Sequence, residues 1–146
     1  MQADSQVVSI GHVIQLAVAP VFLLTGVSGL LSVLTNRLAR IIDRARVLEE
    51  RLPGSAPPAQ TGLYAELSLL SRRARHINLA VSLCTTCALL ICAVIVVLFL
   101  RAFLTSDVTV LIGLLFIGAM LALFSALVSF LREIYIATRH LRIGPH

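Results

Sequence analysis

Two apolar heptads run in mirror order on either side of a proline- and glycine-rich break. Before the break, Leu34, Leu38, Ile41, Ala45, Leu48 and Leu52 recur at spacings of 4, 3, 4, 3 and 4. After it, Leu63, Leu67, Leu70, Ala74, Ile77 and Val81 repeat the same spacings. Opposed members, from Leu34 with Val81 to Leu52 with Leu63, have residue numbers that always add to 115. A 3.5-residue apolar repeat lets two helices wind along one seam, and the constant sum makes the pair antiparallel. The pattern predicts a coiled-coil hairpin over about 36–76, with a tip at 53–62 where Pro53, Gly54, Pro57, Pro58 and Gly62 interrupt it. Asn36 to Arg51 and Leu63 to Asn78 would each rise about 24 Å at 1.5 Å per residue.

The flanking chain is far more apolar than a soluble protein. Hydrophobic residues make up 58% of the 146, and the mean hydropathy is +0.97. Ser5–Asn36, His76–Leu100 and Val108–Leu131 contain no Asp, Glu, Lys or Arg. Each exceeds the roughly 20 helical residues that cross a bilayer core, so spans are expected at about 10–35, 77–100 and 108–131. The first run lacks a basic leader and a small-residue cleavage site, which argues against a signal peptide.

All twelve basic residues are arginines. A three-span arrangement puts eleven of them on one side and Arg101 alone, beside Asp107, on the other. The positive-inside rule then makes the hairpin and C-terminus cytoplasmic and the N-terminus external. The basic balance reads as a topology signal and as a partner for anionic lipid headgroups, with no nucleic acid implied. Only a few N-terminal residues and the Arg101–Asp107 turn would lie outside, too little for an external domain.

A first helix is expected from about Ser9 to Arg51, capped by Asp4 and Ser5 and kinked at Pro20. A second is expected from about Leu63 to Phe103. The third span should continue as a short C-terminal helix at about 132–142, with Leu127, Leu131, Ile134, Thr138 and Leu141 in heptad register. The expected fold is all-α and integral to the membrane, in one domain. The run Ala19-Pro20-Val21-Phe22-Leu23-Leu24-Thr25-Gly26, the stretch Leu34-Thr35-Asn36-Arg37-Leu38-Ala39-Arg40-Ile41-Ile42-Asp43-Arg44-Ala45-Arg46 and Leu131-Arg132-Glu133 resemble the bacterial membrane family known as domain of unknown function 2721. Arg72, Arg75 and Asn78 fit as well. The resemblance implies a small bacterial inner-membrane protein and brings no activity or catalytic residue with it.

A second, polar heptad lies on the first helix. Thr25, Gly29, Ser32, Asn36, Ala39, Asp43, Arg46 and Glu50 follow spacings of 4, 3, 4, 3, 4, 3 and 4, offset by two residues from the apolar seam. At 100° per residue the stripe points about 200° away from the hairpin partner. Polar groups in a bilayer must meet protein or water. One reading is a homo-oligomer with Thr25, Gly29, Ser32, Asn36 and Asp43 along a pore or subunit interface. Arg37, Arg40, Arg44 and Arg46 would then form a vestibule or bind lipid headgroups. The other reading is close helix packing through Gly26, Ser28, Gly29 and Ser32, matched on the third span by Gly118, Ala122, Ser125 and Ser129. Asn36 and Asn78, where the hairpin leaves the spans, are expected to bond across it and fix its register.

Cys84 and Cys87 have the spacing of a redox dithiol, but they sit inside an apolar helix without a βαβ frame and read as inert. Cys92 lies off their face. His12, His76, His140 and His146 form no metal-ligand pattern. No phosphate loop, nucleophile elbow or dinucleotide fingerprint is present. Glu49, Glu50 and Glu66 read as countercharges to Arg44, Arg46 and Arg51. These observations predict no enzyme, no cofactor and no metal. The leading expectation is a homo-oligomeric ion channel around the first helix. The alternative is a non-catalytic scaffold or accessory subunit whose hairpin binds a cytoplasmic partner protein.

Overall fold

The computed structural model describes residues 2–54, 56–101 and 108–139, with side chains within 11–54, 56–101 and 108–136. Three helices account for nearly all of them: α1 (Gln2–Arg51), α2 (Pro57–Arg101) and α3 (Thr109–Arg139). A single 3-10 turn, Leu52–Gly54, follows α1. All three helices are long and apolar enough to cross a membrane. Large apolar side chains such as Phe22, Leu89, Val110 and Phe124 are two-thirds or more exposed, a surface suited to lipid rather than water.

Several boundaries differ from expectation. α1 starts at Gln2, because nothing from Gln2 to Ile10 breaks a helix, so Asp4 and Ser5 lie within it rather than before it. As expected, the helix continues through Pro20. α2 starts at Pro57, six residues before Leu63, which shortens the expected 53–62 tip. The carbonyl of Ala56 accepts from the Ala59 and Gln60 amides at 2.9 and 3.1 Å. Pro57 and Pro58 have no N–H and a preset φ, so two of the unpaired donors of a helix start are absent. A proline pair that looks like a breaker therefore opens α2. α3 runs unbroken past Arg132 to Arg139, the continuation expected of the third span. The expected turn at Thr105-Ser106-Asp107, with Leu141, Arg142, His140 and His146, lies outside the described residues.

The most buried positions recur every seven residues on each helix. On α1 they are Pro20, Val27, Leu34, Ile41 and Leu48; on α2, Leu70, Ile77, Cys84, Ile91 and Leu98; on α3, Ala119, Ala126 and Glu133. α2 buries a second row, Ala80, Cys87 and Val94. Every member of the two expected seams is buried or half-buried. The α3 phase differs from expectation: Leu127 and Leu131 are exposed, and Ala119, Ala126, Ser129 and Glu133 are inside. In lipid a leucine gains little by turning inward, whereas small and polar residues do.

The chain forms two compact units, one within Met1–Leu30 and Leu83–Phe124, the other within Leu31–Ser82 and Ser125–His146. In the first, α2 and α3 approach closely enough that a Cβ on Gly118 would lie 3.5 Å from Leu90 Cδ1. Cys84 and Cys87 are buried there as free thiols, and Cys92 is exposed. In the second, Arg44 of α1 meets Glu66 of α2, while Arg37 and Arg73 meet one carboxylate of α3. Position thus falls along α1 as it rises along α2, which is antiparallel pairing.

Candidate functional site

Glu133 is the centre of a charged cluster built by all three helices of the second unit. It falls on the buried seven-residue row of α3, and its side chain is 1% exposed. Arg73 of α2 donates to Oε1 through Nε at 3.2 Å and Nη2 at 2.8 Å. Arg37 of α1 donates to Oε2 through Nη1 at 3.1 Å. The Arg37 guanidinium also lies over the Phe130 ring of α3, 5.2 Å from its centroid. An isolated buried carboxylate is heavily penalised, and three charge-assisted bonds from two cations are the compensation it requires. Both arginines keep part of their surface wet.

Arg37, Arg40, Arg44 and Arg73 line one concavity of about 270 Å³ with Glu133, floored by Ile41 and Leu70. Arg44 donates Nε and Nη2 to Glu66 Oε1 at 3.2 and 2.8 Å, the hairpin countercharge expected of Glu66. Arg40 has no hydrogen bond or ion pair among the described residues. On α1, Arg37, Arg40 and Arg44 centre about 70° round the helix from the buried row and about 110° from the polar stripe, counting 100° per residue. The expected vestibule quartet is therefore divided. Arg37, Arg40 and Arg44 turn towards α2 and α3, and Arg46 stays on the stripe.

The stripe itself is open along its whole length. Thr25, Gly29, Ser32, Asn36, Ala39, Asp43, Arg46 and Glu50 are all exposed. A Cβ added at Gly26 or Gly29 would meet nothing within 4 Å. Close packing of these glycines against another helix of the same chain is thus not made, and Gly118 packs towards α2 instead. Hydroxyls on and beside this face bond their own helix: Thr25 to the Val21 carbonyl at 3.3 Å, Ser28 to Leu24 at 2.9 Å and Thr35 to Leu31 at 2.9 Å. A carbonyl only accepts, so each hydroxyl donates inward and keeps its own lone pairs outward.

Asn36 and Asn78 are both exposed, and no hydrogen bond joins them among the described residues. The reason is angular. Asn36 belongs to the stripe, about 200° from the seam, and Asn78 is one residue past Ile77, about 100° off it. Sequence reasoning missed Glu133, Arg73 and Phe130 as a group. A usable signal was present: Glu133 is the one acid after Asp107, and it continues the step from Ala119 to Ala126.

A family model described as protein of unknown function, DUF2721, matches residues 17–143, which takes in every residue of the cluster and the stripe. No curated protein matches the chain, and no solved structure does.

Proposed function

The chain belongs to this family of proteins of unknown function, DUF2721, and from that premise we propose a homo-oligomer of the bacterial inner membrane that conducts cations along α1. The observation that carries the reading is the uncovered polar face from Thr25 to Asp43 on a helix apolar enough to span. Ser32 and Asn36 within a bilayer need protein or water beside them. Copies of α1 around an axis supply both. Outward lone pairs from Thr25, Ser28 and Thr35 offer acceptors to a cation, and Asp43 adds negative charge at the inner mouth. The N-terminus is external, and α1 and α2 continue into the cytoplasm as an antiparallel coiled coil, in keeping with the seven-residue burial and the arginine bias.

Purified protein in liposomes should pass K⁺ or Na⁺ under a gradient, with a reversal potential that follows the cation. Asn36→Leu and Ser32→Leu should each lower the flux at least tenfold while leaving the protein folded. Absence of conductance for every ion tested, at every pH, defeats the reading.

A second reading is favoured by a groove of about 410 Å³ between α1 and α2, flanked by the exposed side chains Ile42 and Tyr64. Such a surface suits a scaffold that docks a partner protein. It predicts a copurifying partner that is lost when residues 44–66 are trimmed, and a dry α1 interface.

A further inference from the structure

We propose that the concavity bounded by Arg37, Arg40, Arg44 and Arg73 is a binding site for a phosphate group. Four guanidiniums face one space, and only two carboxylates, Glu133 and Glu66, are spent on them. The remaining charge is carried above all by Arg40, which has no partner of its own among the described residues. Glu133, which lines the same space, holds Arg37 and Arg73 by three hydrogen bonds, so both guanidiniums are oriented before any ligand arrives. Each still has N–H donors unspent, since Arg37 gives one nitrogen and Arg73 two to the carboxylate. Planar forks held in place are what recognises tetrahedral oxyanions. The concavity of about 270 Å³ leaves room for a phosphate with part of its hydration.

The sequence places this site at a defined depth. The first charge-free stretch ends at Asn36, the second begins at His76, and the third ends at Leu131. Arg37, Arg73 and Glu133 follow or precede those junctions by one to three residues. The site therefore stands where the apolar spans give out, the level of lipid phosphates. Either a phospholipid headgroup or a free phosphate presents the chemistry it fits. Its residues lie about 110° round α1 from the polar stripe, so the inference is independent of conduction.

The test uses full-length protein in mild detergent, with two probes. Phosphatidylglycerol or phosphatidylcholine is added to the micelles and retained lipid is counted by native mass spectrometry. Inorganic phosphate is titrated separately by calorimetry. Arg40→Gln removes the uncommitted arginine, which makes no hydrogen bond or ion pair among the described residues. Arg46→Gln removes the same charge from the stripe. Loss of a charged hydrogen bond corresponds to about tenfold or more in affinity. The expected result is a tenfold loss in Arg40→Gln with Arg46→Gln unchanged. Seen with phosphatidylglycerol, it identifies a headgroup site; seen with inorganic phosphate alone, a site for the free ion. Equal losses in the two variants, or binding of neither probe, overturn the proposal.

Discussion

Glu133 accepts three hydrogen bonds from two arginines while its own side chain is 1% exposed. Removing one member of a buried ion pair typically costs about 3–5 kcal/mol, chiefly because the other charge is left stranded. Here the stranded groups would be Arg37 and Arg73, with side chains 44% and 31% exposed, so partial rehydration softens the loss. Glu133→Gln should therefore destabilise by about 3 kcal/mol, the lower end of that range, in detergent-solubilised unfolding. Replacing the trio together by Leu at 133 and Met at 37 and 73 should recover most of it, since apolar substitutes for a buried ionic group are often neutral or better. A triple variant no more stable than Glu133→Gln would show that the cluster supports the fold in some other way. Arg44 and Glu66 make contacts of the same lengths and chemistry as Arg73 and Glu133, yet Arg44 is 69% exposed. Arg44→Gln should change stability by less than about 1 kcal/mol.

Among the helices, one seven-residue repeat governs burial, but the residues that occupy it differ between the hairpin stretches and α3. Along 34–52 and 63–81 the apolar residues at heptad spacing are buried or half-buried, so the seam could be located from spacing alone. In α3 the apolar residues surround the helix, and spacing among leucines says nothing about which face packs. The inward face is instead marked by Ala119, Ala126 and Ser129, and by a glutamate where a heptad would place leucine. The start of α2 escaped for a different reason: proline breaks a helix interior but suits its first turn. These differences predict contrasting alanine substitutions. Leu48→Ala, at a site 7% exposed, should cost about 2–4 kcal/mol. Leu131→Ala, at 66%, should leave stability within about 0.5 kcal/mol. Matching losses at the two positions would mean that α3 packs in the other phase.

For the molecule as a whole, the open face of α1 separates folding from assembly. Gly29 has free space where a Cβ would stand, so a larger residue there meets no resistance from its own chain. Gly29→Leu should leave the monomer as stable as wild type or slightly more so, since glycine weakens a helix interior by roughly 0.5–1 kcal/mol. The same change should break up an oligomer packed through that face, which light scattering on detergent-purified protein or cross-linking in membranes would reveal. An unchanged oligomer would move the subunit contact elsewhere. The clamp on Glu133 also carries a consequence for synthesis. Its partners precede it by 96 and 60 residues, so they leave the ribosome long before it does. Until α3 has been made, Arg37 and Arg73 lack the carboxylate that joins them. Arrival of the last helix closes the ion cluster, so the order of synthesis makes this joint of all three helices the last to form.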